Sequence, residues 1–122
     1  MPSLDDLEPL LRSLWNNKPP GVAKSKIETA TAIAAENVQS EAILVQQVAN
    51  HYASTPATHK LGVLYVLDSV TRQWVDKARQ TGQALTGSAA APGTFAGGVH
   101  RVTEILPSIM HDLILSAPTE QK

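Results

Sequence analysis

The sequence contains no cysteine, which excludes disulfide scaffolds, thiolate zinc sites and cysteine nucleophiles together. That absence fits a reducing compartment. An excess of charge is missing as well: 10 Lys and Arg stand against 11 Asp and Glu, a formal net charge of −1. With no global basic excess for coating nucleic acid, any electrostatic partner has to be met by a local patch. The longest apolar stretch, around Leu61 to Val70, is too short and too interrupted to span a bilayer. The start, Met1-Pro2-Ser3-Leu4-Asp5-Asp6, is acidic and lacks the basic-then-apolar order of a signal peptide. These features predict a soluble intracellular protein with no membrane partner. At 122 residues the chain is expected to form one domain, spanning 1–122, that buries roughly two-thirds of its unfolded surface.

Catalytic motifs are lacking too. His51, His59, His100 and His111 show no HExxH spacing, and GxGxxG, the P-loop and the nucleophile elbow are absent. His51 and His59 flank a turn, where an exposed histidine is the ordinary outcome, and His111-Asp112 reads as a surface pair. Gly97-Gly98 reads as close packing or local softness rather than a phosphate loop. The sequence therefore predicts no enzyme, no cofactor and no metal.

What is present is helical periodicity. Leu4, Leu7, Leu11, Leu14 and Trp15 recur at helical spacing with Ser3 as a cap, and Pro9 either sits in the first turn or moves the start to near Asp6. Asn16 to Gly21 breaks that helix. Ser25 and Glu28 have capping-box spacing, and Ile27, Thr31 and Ala34 give a narrow inner stripe that ends at Asn37. Ser40 caps a third helix to about Tyr52, with Ile43, Leu44, Gln47 and Val48 inward. The fourth, roughly 59–79, puts Val63, Val66, Leu67, Val70 and Trp74 on one arc. The segment 81–93 reads as a flexible loop. Thr94 then caps a last helical region that Pro107 kinks or divides. The fold class is all-α: antiparallel helices joined by short turns, as a bundle or a right-handed superhelix.

The fourth helix carries a second face that combines Leu61, Tyr65, Asp68, Ser69 and Arg72 within about a quarter-circle. An ordinary solvent-facing stripe would be rich in Lys and Glu. Tyr65 offers a ring to proline or another ring. Asp68 can accept hydrogen bonds, and Arg72 can meet a phosphate or carboxylate. The plainer reading is an Asp68–Arg72 surface pair worth a few tenths of a kcal/mol. A second cluster, Lys18, Lys24, Ser25 and Lys26, surrounds the start of helix two, where free N–H groups and the helix dipole favour an anion such as a phosphoserine. Its plainer reading is a set of solvated lysines.

The run His59-Lys60-Leu61-Gly62-Val63-Leu64-Tyr65-Val66-Leu67-Asp68-Ser69-Val70 resembles the signature helix of the RNA polymerase II CTD-interacting domain, or CID. Thr71-Arg72-Gln73-Trp74, Lys18 to Ile27, and Pro92-Gly93-Thr94-Phe95 through Leu106-Pro107 are similar to the fungal Nrd/Seb-type termination-factor branch. The resemblance implies a VHS/ENTH-like right-handed superhelix of about eight helices. It also implies a non-catalytic, nuclear adaptor for the phosphorylated Tyr-Ser-Pro-Thr-Ser-Pro-Ser tail of the polymerase, coupling transcription to termination and RNA 3′-end processing. Ile27, Tyr65, Asp68, Ser69 and Arg72 fall on peptide-binding positions, and Lys24, Ser25 and Lys26 on phosphate-binding ones. Lys26 supplies a point charge where some relatives have a guanidinium, and Ala23 lacks a hydroxyl that some present. The resemblance further implies a closing helix after Lys122 that this chain lacks. An open groove would expose an apolar patch favouring self-association, and RNA would be contacted only by other domains of a longer protein. The competing class is a VHS/ENTH-type trafficking adaptor for sorting peptides or lipid headgroups; the acidic Leu4 to Glu8 segment argues against it.

Overall fold

A computed structural model describes residues 4–18, 22–83 and 91–116. Five α-helices occupy them: α1 (Leu7–Ser13), α2 (Lys24–Glu36), α3 (Glu41–Ser54), α4 (Lys60–Gln80) and α5 (Phe95–Ser116). Short 3-10 turns at Leu4–Asp6, Leu14–Asn16, Val38–Ser40 and Ala57–His59 prepare or finish them. No strand occurs among the described residues. The expectation of about eight helices meets five α-helices and four 3-10 turns here.

Asp6 is the N-cap of α1, so Pro9 lies within the first turn, where its missing N–H costs no helical bond. α2 begins at Lys24 behind an extended Ala23; Ser25 is thus the second helical residue, and the expected capping box does not form. Asn37 ends α2 as expected, its Nδ2 donating to the Ile33 carbonyl at 2.8 Å. Thr94 caps α5: its Oγ1 accepts from the Gly97 N–H at 3.0 Å. Pro107 lies inside α5 without dividing it. The expected Ser3 cap and most of the 81–93 loop lie outside the described residues.

The core forms where the apolar stripes meet. α4 lies between α2 and α5 and contributes Val63, Val66, Leu67, Val70 and Trp74, all buried. That arc was legible from its period. Trp74 is fully buried; its indole donates to the Ala34 carbonyl of α2 at 3.0 Å. On the other side a Cβ added to Gly98 of α5 would lie 2.6 Å from the Trp74 ring, so the missing side chain is what lets α5 close on α4. α3 adds Leu44, Val45, Val48 and Tyr52, whereas Ile43, expected inward, is 57% exposed. His51 is also a correction: it is 8% exposed, buried by α1 and stacked on Trp15. The α2 stripe shifts by one step, with Ala30, Ile33 and Ala34 buried and Ile27 and Thr31 half-buried.

Polar ties lock the helices in register. The buried Glu41 carboxylate of α3 accepts from Arg101 of α5 through Nε at 2.7 Å and Nη2 at 3.1 Å. Lys60 of α4 and the Tyr52 phenol of α3 both donate to Asp112 of α5 at 2.8 Å. The Lys60 ammonium, and after it the Tyr52 hydroxyl, hold the Asp112 carboxyl below its ordinary range. Burial, with the adjacent carboxylate, pushes the Tyr52 phenol well up.

Candidate functional site

Between α4 and α5 lies an apolar cleft of about 290 Å³. Leu64, Tyr65, Leu67, Asp68 and Thr71 form one wall, and Val102, Leu106 and Met110 the other. The second wall is a single stripe of α5 at spacing four, one helical face. None of these three α5 residues is among the site residues expected from the sequence; their i, i+4, i+8 spacing is the signal that would have found them. Tyr65 is 46% exposed, an uncommon state for an aromatic on a core helix.

Asp68, at the same rim, accepts from Arg72 Nε at 3.0 Å, with both side chains largely in solvent. Such a pair is worth a few tenths of a kcal/mol, so either member exchanges readily for a better partner. Arg72 does not line the cleft. Its guanidinium is tied to the cleft only through its bond to Asp68.

Ser69 takes a different direction. Its hydroxyl meets Thr31 Oγ1 of α2 at 2.7 Å, and Thr31 Oγ1 lies 2.7 Å from the Ile27 carbonyl. Thr31 has one hydroxyl proton, and the carbonyl can only accept it; Ser69 therefore donates to Thr31. Ile27 and Ser69 are thereby joined along the α2–α4 seam. The five residues expected to form one groove divide into a cleft pair, Tyr65 and Asp68, a seam pair, Ile27 and Ser69, and Arg72 above them.

The three residues expected to hold phosphate do not converge. Lys24 and Lys26 are two positions apart on α2, roughly 200° around the helix. Lys24 is exposed, 4.0 Å from Glu28, and Ser25 is exposed. The Lys26 ammonium turns toward α1, donating to the Ser13 carbonyl and to Asn17 Oδ1, both at 2.9 Å. From the other side, His59 Nε2 donates to the Asn17 carbonyl at 2.8 Å, which leaves Nδ1 to accept from the Thr58 hydroxyl. Lys26 and His59 together clamp the chain leaving α1. Neither job was visible in the sequence, because both partners lie across a turn.

No group of three or more metal-ligating side chains occurs among the described residues, and no helix of the described residues is long and apolar enough to cross a membrane. Residues 5–122 match the profile of the CID domain family. The chain belongs to the CID family. It is 34% identical over 119 residues to the Rpb7-binding protein seb1 of Schizosaccharomyces pombe, an alignment covering 98% of this chain and 19% of that protein. The solved CTD-interacting domain of Seb1 from S. pombe superposes with a TM-score of 0.84 at 34% identity, covering 93% of this chain and 73% of that one. The yeast Nrd1 CID, solved in complex with Sen1 NIM3, gives a TM-score of 0.84 at 25% identity, over 95% of this chain and 77% of that one. The architecture expected from the resemblance is therefore the one found: the helices of this chain follow the CID fold.

Proposed function

We propose that this CID is a non-catalytic phosphopeptide-binding module that docks the phosphorylated heptad tail of RNA polymerase II against α4. The observation that carries the reading is the pairing of an exposed ring and a carboxylate, Tyr65 and Asp68, at the mouth of an apolar cleft. A proline-rich peptide enters such a cleft with part of its conformation preset. Its rings pack on Tyr65 and on the Val102, Leu106 and Met110 wall, and Asp68 accepts from a backbone N–H or hydroxyl of the bound turn. Arg72 exchanges its weak pair for a phosphate, with Lys24 and Ser25 at the start of α2 as further anion contacts. Lys26 acts by holding Ser13 and Asn17 at the end of the first helical segment. Within a longer protein, as the matching segment of the related seb1 is, such a module would serve a nuclear termination or 3′-end-processing factor, with RNA bound by other domains.

Titration of fluorescent heptad peptides tests this, unphosphorylated or phosphorylated at the second or fifth position. A phosphorylated form should bind best. Asp68→Ala should weaken it at least tenfold, the equivalent of about 1.4 kcal/mol and the low end for a charged hydrogen bond. Equal binding of all forms, or indifference to Asp68→Ala, would sink the assignment.

A further inference from the structure

The α5 wall of the cleft ends on a sulfur. Apart from Met1, Met110 is the chain's one methionine, and there is no cysteine to intercept an oxidant before it. Met110 is 41% exposed and lines the cleft with Leu106, opposite Tyr65 and Asp68. Thioether oxidation follows exposure, so this side chain meets the condition for it. Met110 also stands outside the hydrophobic core cluster and outside the half-buried side chains packed against it. A change at its sulfur therefore alters the ligand surface and not the core.

The oxidised side chain is out of place in this lining. A sulfoxide carries an accepting oxygen where the thioether was apolar. Three polar side chains line the cleft, those of Tyr65, Asp68 and Thr71. The Asp68 carboxylate is itself an acceptor and offers the new oxygen nothing. The Thr71 hydroxyl already donates to the Leu67 carbonyl at 2.7 Å. The Tyr65 phenol is the donor left in the lining, and its ring is the one a docked peptide packs against. A peptide that covers the sulfoxide with its own apolar groups leaves that oxygen unpaired. Burying an unpaired polar group carries a penalty large enough to weaken binding about tenfold.

We propose that Met110 is a reversible oxidation site that regulates the cleft: a hydroperoxide converts its thioether to the sulfoxide and so weakens peptide docking. A lone pair of Met110 Sδ takes one peroxide oxygen, the S–O bond forming as the O–O bond breaks. Sulfur gives up two electrons, and with hydrogen peroxide the other oxygen leaves as water, carrying the proton of the transferred one. In the reverse step a dithiol supplies the two electrons and the oxygen leaves as water.

The inference rests on the peptide reading of the cleft. Affinity for the phosphorylated heptad peptide, measured before and after hydrogen peroxide, tests it. Fragment mass spectrometry should place one added oxygen on Met110. That form should bind about tenfold more weakly, with its helical signal and melting curve unchanged. The two epimer-specific methionine sulfoxide reductases with dithiothreitol should restore binding. Met110→Leu, whatever its own affinity, should bind alike before and after peroxide, which separates Met110 from Met1. Resistance of Met110 to peroxide, unchanged affinity of the sulfoxide form, loss of helical signal on treatment, or an equal weakening in Met110→Leu would each overturn the proposal and leave the cleft reading standing. Failure of the untreated chain to bind any heptad peptide would overturn the cleft reading, and this inference with it.

Discussion

Replacing Arg101 by alanine is the sharpest test of how this fold is held together. Glu41 is 1% exposed, and its carboxylate has the Arg101 fork at 2.7 and 3.1 Å and the Gly93 N–H at 3.4 Å. Removing the guanidinium strands a buried charge, a class of change that costs about 3–5 kcal/mol. Two features soften it. The Arg101 side chain is 38% exposed, so water can reach the carboxylate from that side. Glu41 also sits in the first turn of α3, where the helix dipole favours an anion by about 0.3–1 kcal/mol. A loss of about 3 kcal/mol follows, or roughly 10 °C in melting temperature for a domain of this size. Urea and thermal denaturation followed by circular dichroism measure it. Glu41→Met with Arg101→Met removes both charges and should recover most of the loss. An Arg101→Ala melting point within about 2 °C of the parent, or a double variant as unstable as the summed singles, would refute the reasoning.

Other outcomes follow from the same packing. Gly98→Ala should destabilise by about 1–3 kcal/mol in a urea melt, because its Cβ would press on Trp74 at 2.6 Å while the indole is tied to Ala34. Stability should fall with acid in two stages. His51, whose pKa burial and Arg12 depress, is protonated first in the unfolded chain, so its contribution is complete above about pH 6.5 and declines below it. Asp112, depressed chiefly by Lys60, behaves likewise below about pH 4, the ordinary carboxylate range. His51→Phe should flatten the first stage in a pH series of melts and leave the second. Lys26→Ala should speed proteolysis near Asn17, since one of the two side chains gripping that residue is gone; unchanged cleavage would return Lys26 to the role of a free cation.

Much of the architecture was legible because it follows from one-dimensional rules. The Val63–Trp74 arc, the Asn37 stop and the Thr94 cap depend on residues within a turn or two of each other, and the structure has all three. The errors lie where a distant element decides. Ile43 and His51 exchange their expected environments: Ile43 is exposed, and His51 is buried and stacked on Trp15 from the turn after α1. Ser25 lost its cap to an extended Ala23 two residues earlier. Lys26 has an anion-binder's address, yet it is held by oxygens nine and thirteen residues away. For the candidate cleft, one wall was readable from α4; the facing wall required knowing which stripe of α5 opposes it.

The hydroxyl relay from Ser69 through Thr31 to Ile27 has a polarity, and that polarity acts as a filter. Every proton in it runs toward α2, so the Ser69 oxygen spends its proton on Thr31 and keeps only lone pairs to offer. Two consecutive positions of α4 thus present acceptors and no spare donor. A ligand is admitted there through its own N–H or O–H groups, and an oxyanion is turned away. If a phosphorylated chain docks here as proposed, exclusion would set its register as much as attraction: its unmodified hydroxyls would face Asp68 and Ser69, and its phosphates would fall to either side.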